Sequence, residues 1–126
     1  MSNQPKSLLA MIEFVNHSKL PILYKEMGFN VTVEWQVRKA VSLVRKLKPD
    51  VIVADFYTQS DFRDRLSNLE SLLATAQPFK ETRILVFYEP NDASALERVR
   101  ERLRMDAVLP TPVSDEGIKA ILKDWL

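Results

Sequence analysis

The sequence predicts an α/β protein: a three-layer α/β/α sandwich around a doubly wound, five-stranded parallel sheet. Three observations lead there. Short apolar runs recur at residues 8–12, 29–33, 51–54, 84–88 and 107–109. The middle runs, VIVA at 51–54 and ILVF at 84–87, are continuous rather than alternating. Such strands are buried on both faces and belong to a parallel sheet covered by helices. Helical patterns fill the gaps between runs, and right-handed crossovers in a βαβαβαβαβα order place helices on both faces. At 126 residues the chain reads as a single domain, 1–126.

Each element has a local signature. The first helix is expected over about 18–27, with Pro21 in its first turn and Gly28 just past its end. Val37, Ala40, Val41, Val44 and Leu47 recur at helical spacing, with Arg38, Lys39, Arg45, Lys46 and Lys48 on the other face and Pro49 as the stop. Leu69, Leu72, Leu73 and Ala76 mark a third helix, and Ser67 with Glu70 forms a capping box before it. Leu96, Val99 and Leu103 mark a fourth that starts near Asn91 or Asp92. Ile118, Ile121, Leu122 and Trp125 mark the last, with Ser114 as N-cap and Asp115 and Glu116 in its first turn. The strands start 21, 22, 33 and 23 residues apart, so the surplus lies after the third strand, in 56–66 (FYTQSDFRDRL).

Composition excludes several chemistries. There is no cysteine and one histidine, His17, so disulfides, thiolate sites and multi-histidine metal centres are out. His17 reads as a partly exposed residue entering the first helix. The net charge of +1 supplies no strong field toward nucleic acid or an anionic membrane. The longest apolar run is five residues, too short to cross a bilayer, and the N-terminal segment does not read as a signal peptide. A cytoplasmic protein is expected. Gly28 and Gly117 are the only glycines, and neither lies in the first strand-to-helix loop. A phosphate-cradling loop, a nucleotide fingerprint and a flavin site are therefore not expected, and the hydrolase elbow is absent.

In an open α/β sheet, ligands gather outside the carboxyl ends of the strands, at the switch point of strand order. The polar residues there are Glu13, Asp55, Tyr88, Glu89 and Thr111. Residues 26–56 (EMGFNVTVEWQVRKAVSLVRKLKPDVIVADF), with KPDVIVAD at 48–55 and LPTPVS at 109–114, closely resemble the receiver domains of bacterial response regulators. That resemblance implies the flavodoxin-like (CheY-like) fold and extends over nearly the whole chain. It places Asp55 at the phosphoacceptor position, and it implies a cis peptide bond before Pro112.

The departures from the receiver pattern point to a degenerate member, a pseudo-receiver. Receivers carry two adjacent acids after the first strand; here Ile12 and Glu13 stand there. Tyr88 occupies the usual Thr/Ser position, and Thr111 occupies the usual Lys position. The aromatic residue before that Lys falls on Val108, so the small–large relay pair is inverted. The glycines of the usual loop after the third strand are missing. Aspartyl phosphate needs a divalent cation, and Mg²⁺ favours carboxylate oxygens. Glu13 and Asp55 would form a weakened Mg²⁺ site, and no other cofactor is expected. Thr111 can donate a hydrogen bond but brings no charge.

The function expected is a protein–protein interaction or regulatory module of two-component-type signalling, not conventionally phosphorylated and not an enzyme. The alternative is a working phosphorelay receiver that uses Asp55 with weak Mg²⁺ dependence. Arg98, Arg100, Arg102 and Arg104 enrich the fourth helix, and Arg98 and Arg102 are candidate partner contacts. The partner expected is a sensor kinase or a downstream signalling protein, not nucleic acid and not a membrane. A homodimer through the fourth and fifth helices accords with the resemblance. No output domain is expected beyond the last helix.

Overall fold

The computed structural model describes residues 5–12, 19–57 and 69–126. Five strands form one parallel sheet: β1 (Ser7–Met11), β2 (Asn30–Glu34), β3 (Val51–Phe56), β4 (Arg83–Tyr88) and β5 (Ala107–Pro110). Their spatial order is β2-β1-β3-β4-β5, so the winding reverses between β1 and β3. The helices are α1 (Leu20–Glu26), α2 (Val37–Leu47), α3 (Leu69–Ala76), α4 (Ala93–Arg100) and α5 (Asp115–Leu122). The three-layer sandwich expected from the apolar runs is the one observed. His17 and the capping box at Ser67 lie outside the described residues, as does most of the 56–66 surplus.

Strand parity divides the core in two. Leu9, Met11, Ile52, Ala54, Phe56, Ile84 and Val86 face a cluster built with α2, α3 and α4. Leu8, Ala10, Ile12, Val51, Val53, Leu85 and Phe87 face the other cluster, built with Leu23 and Tyr24 of α1 and Ile118 and Leu122 of α5. All six side chains of β3 are buried. This is why its apolar run is continuous: both faces are covered, so no position tolerates solvent.

Several elements end as their residues direct. Gly28 adopts φ +106 and closes α1. Its N–H donates to the Lys25 carbonyl (3.0 Å), and the Phe29 N–H reaches the Tyr24 carbonyl (3.1 Å). That pair of bonds is a Schellman close, with Phe29 and Tyr24 buried in the same cluster. Ser114 caps α5 by accepting the Gly117 N–H at 3.0 Å. The Thr111–Pro112 peptide is cis.

The end of α4 departs from expectation. The arginine-rich pattern reads as helical through Arg104, yet the helix stops at Arg100. The reason lies in polar ties from neighbouring loops. The Gln77 side chain accepts the Arg104 N–H (2.9 Å) and donates to the Leu73 and Arg104 carbonyls. The Arg104 guanidinium donates to the Thr82 (3.0 Å) and Phe79 (3.3 Å) carbonyls and to Asp106. Asp106 also accepts the Ile84 N–H at 2.7 Å. Arg104 is therefore a brace at the amino end of the sheet. A second brace joins β1 to β3: the Asp50 carboxylate accepts the Ser7 N–H (2.9 Å), and the Ser7 hydroxyl accepts the Asp50 N–H (3.1 Å).

Two substitutions check these assignments by denaturant unfolding. Gly28→Ala should destabilise by about 1–2 kcal/mol, because a Cβ is disfavoured at positive φ. Arg104→Ala should lose roughly 2–4 kcal/mol, because it strands the Asp106 carboxylate and carbonyls in a half-buried site. Stability unchanged within about 0.5 kcal/mol would refute either account.

Candidate functional site

The carboxyl edge of the sheet at the β1–β3 switch point is where chemistry is expected. Asp55 stands there, one residue from the end of β3, with 3% of its surface exposed. Parity turns it toward the α1/α5 face, with Val51 and Val53. Its cross-strand partner on β4 is Phe87. On the other side, the β1–β3 register ends at Met11 and Ala54, and Ile12 follows one step on. The Ile12 N–H donates to the Glu34 carbonyl (2.9 Å), which holds it in line with β1, and its side chain is 4% exposed. Ile12, Tyr24, Phe87 and Asp55 line one small cavity of about 10 Å³. That is about the space of a single water. Among the described residues, those lining the cavity with Asp55 are apolar apart from Tyr24.

Tyr24 is the residue that sequence reasoning missed. It is on the core face of α1, 1% exposed, and its ring reaches the Asp55 cavity. Burial raises its phenol pKa well above the usual tyrosine value, and the negative charge of Asp55 raises it further. The signal was present in the spacing of Leu20, Leu23, Tyr24 and Met27, which marks a core face. What the spacing could not give is that this side chain lines the cavity at Asp55.

The remaining predicted residues are distributed around this edge. Tyr88 ends β4, level with Phe56, and packs half-buried against the α2–α4 cluster, on the face opposite Asp55. Val108 packs on that same face, two residues earlier in the β4–β5 register. The two residues of the inverted small–large pair thus face the same cluster, offset by two positions in register. Thr111 follows β5, half-buried, and its N–H donates to the Tyr88 carbonyl at 2.8 Å. Glu13 lies outside the described residues. Arg98 is exposed on α4, whereas Arg102 lies past the helix end and pairs with the buried Glu70 of α3 at 2.8 Å. These two arginines do not form one helical stripe.

Among the described residues, no group of three His, Cys, Asp or Glu side chains is placed to hold a metal ion. At the switch point they bring one carboxylate, Asp55, beside the apolar Ile12. By themselves they do not make up the oxygen-rich donor set that Mg²⁺ prefers. No helix among the described residues is long and apolar enough to cross a membrane.

No protein-family model matches the chain, and no curated protein matches it in sequence. Solved structures do match its fold. The signal receiver domain of a modulated diguanylate cyclase from Desulfovibrio desulfuricans G20 is 17% identical with a TM-score of 0.75, over 95% of this chain and 92% of that one. A response regulator receiver domain protein from Clostridium thermocellum is 11% identical with a TM-score of 0.76, over 95% and 93%. The receiver domain of a sensor histidine kinase from Pseudomonas aeruginosa PAO1, solved with a magnesium ion in its active-site cleft, is 17% identical with a TM-score of 0.71, over 96% and 97%. The chain has the receiver fold. On this fold, Asp55 occupies the switch-point end of the third strand that its sequence context indicates.

The buried phenol gives a pH prediction. Its pKa in the folded chain is raised above the ordinary value near 10. Its contribution to stability is therefore full below about pH 10 and is lost as pH rises beyond, when the unfolded chain ionises first. Denaturation midpoints measured across the alkaline range should fall more steeply for the native chain than for Tyr24→Phe. Parallel curves would show that Tyr24 is not the buried phenol responsible.

Proposed function

We propose that the chain is a pseudo-receiver: a cytoplasmic protein–protein interaction module of bacterial two-component-type signalling. In this reading it has no catalytic turnover of its own and no conventional phosphorylation cycle. The observation that carries the reading is the apolar character of the described residues that line the cavity with Asp55. Ile12 stands buried where a second acid would be needed, and Tyr24 and Phe87 close the same cavity. Thr111 in place of a lysine removes the fixed positive charge that would pair with a phosphoryl group. The receiver fold itself supports a signalling role, since the structural neighbours are receiver domains of a diguanylate cyclase and of a sensor kinase.

The partner in this reading is a sensor kinase or a downstream signalling protein. Arg98 on α4 is the cleaner probe of such a contact. Arg102→Glu would also set a carboxylate against the buried Glu70, so its effect would mix binding with stability.

A second reading keeps Asp55 as a phosphoacceptor, with Glu13 as a second carboxylate and weak Mg²⁺ dependence. Its support is the position of Asp55 at the switch point and the magnesium ion in the cleft of one structural neighbour. Intact-protein mass separates the two readings. The chain, its Asp55→Asn variant and a standard receiver are incubated with acetyl phosphate and Mg²⁺. The expected outcome is no phosphoryl gain on the chain while the standard receiver is labelled. A gain that Asp55→Asn abolishes would establish the second reading instead.

A further inference from the structure

We propose that the outer face of α2 is a docking surface for an acidic, amphipathic protein segment. Residues 37–48 hold five cations, Arg38, Lys39, Arg45, Lys46 and Lys48, and no acid. The chain as a whole is +1, so everything outside this segment sums to −4. Charge is therefore concentrated here rather than spread evenly. At the helical angle of about 100° per residue, Arg38, Lys39, Ser42, Arg45 and Lys46 fall within an arc of about 120°. All five are exposed. The opposite arc carries Ala40 and Val44, both buried against the sheet. Among the described residues, the ion pairs are Arg83–Asp106, Arg100–Glu97, Arg102–Glu70 and Arg104–Asp106, none of them on α2.

The face is also concave. Arg38, Lys39, Ser42, Leu43, Lys46 and Glu34 line an open groove of about 480 Å³. Its one acid is already engaged: the Glu34 carboxylate accepts the Trp35 N–H at 2.8 Å and the Gln36 N–H at 2.9 Å, at the start of α2. It ties down the turn that leads into α2, and none of the ion pairs named above joins it to Arg38, Lys39 or Lys46. Leu43 and the aliphatic stems of Arg38, Lys39 and Lys46 give the groove an apolar floor under a cationic rim. Trp35, next to Glu34 in the chain and 50% exposed, is the kind of aromatic anchor that dominates protein interfaces. A phosphate backbone would use the rim and leave the floor bare. An amphipathic segment uses both, with apolar side chains on the floor and carboxylates against the rim.

This surface is independent of Asp55 and does not require the pseudo-receiver reading. The test titrates the intact chain with an amphipathic Glu/Leu peptide about 12 residues long, matching the ~16 Å length of α2, and follows Trp fluorescence. Single-stranded DNA of equal charge is titrated in parallel, and sedimentation reports self-association. The expected result is saturable peptide binding that weakens with salt and falls at least about tenfold in Arg38→Glu/Lys46→Glu. Both positions are exposed, so that variant should keep its melting temperature, and a charge reversal at the exposed Lys25 of α1, Lys25→Glu, should bind the peptide as the native chain does. No binding, or equal binding by the double variant, would overturn the proposal. Tighter binding of the DNA would assign the face to nucleic acid instead. Self-association abolished by the double variant would assign it to a second copy of the chain.

Discussion

The structure depends on the complete burial of β3. All six of its side chains are covered, one of them an aspartate. A strand buried on both faces needs helices on both faces, and parallel crossovers supply them. It pairs with β1 on one side and β4 on the other, so it anchors the sheet at the point where the winding reverses. Everything that makes the carboxyl edge a candidate site follows from that. The strand delivers Asp55 to the edge, and the neighbouring strands decide what stands beside it.

The two ends of the sheet are built differently. At the amino ends, polar groups are tied in pairs and knots: Ser7 with Asp50, and Arg104 with Asp106 and the carbonyls of Phe79 and Thr82. Thr82 adds a buried bond from its hydroxyl to the Pro49 carbonyl at 2.7 Å. These bonds satisfy loop backbone that burial would otherwise leave bare. At the carboxyl edge, the described residues that line the cavity with Asp55 are apolar apart from Tyr24.

The fold was legible because the features that set it are local and repeated. Continuous runs marked buried strands, helical spacing marked the helices, and Gly28 and Ser114 marked an end and a start by their backbone needs. Asp55 was legible from the residues that precede it. The end of α4 was not, because it is set by Gln77 and Thr82, which are distant in sequence and reach Arg104 only after folding. For the same reason Arg102 could not be distinguished from Arg98: one answers to Glu70 of α3 and the other to solvent. Tyr24 carried a visible periodicity, but its nearness to Asp55 depends on how α1 lies across β1 and β3, which no spacing encodes.

The sheet also separates the two regions where binding is argued. Asp55 turns to the face of α1 and α5, whereas α2, α3 and α4 cover the other face. A chemical event at Asp55 could reach those helices through the strand ends, where Phe56 and Tyr88 lie side by side. Tyr88 is packed half-buried against the far cluster, and Val108 near it is too small to exchange places with a ring. Moving Tyr88 would leave a hole that Val108 cannot fill, and such cavities cost stability in proportion to their volume. The basic surface of α2 lies on that far side of the sheet, away from the face to which Asp55 turns.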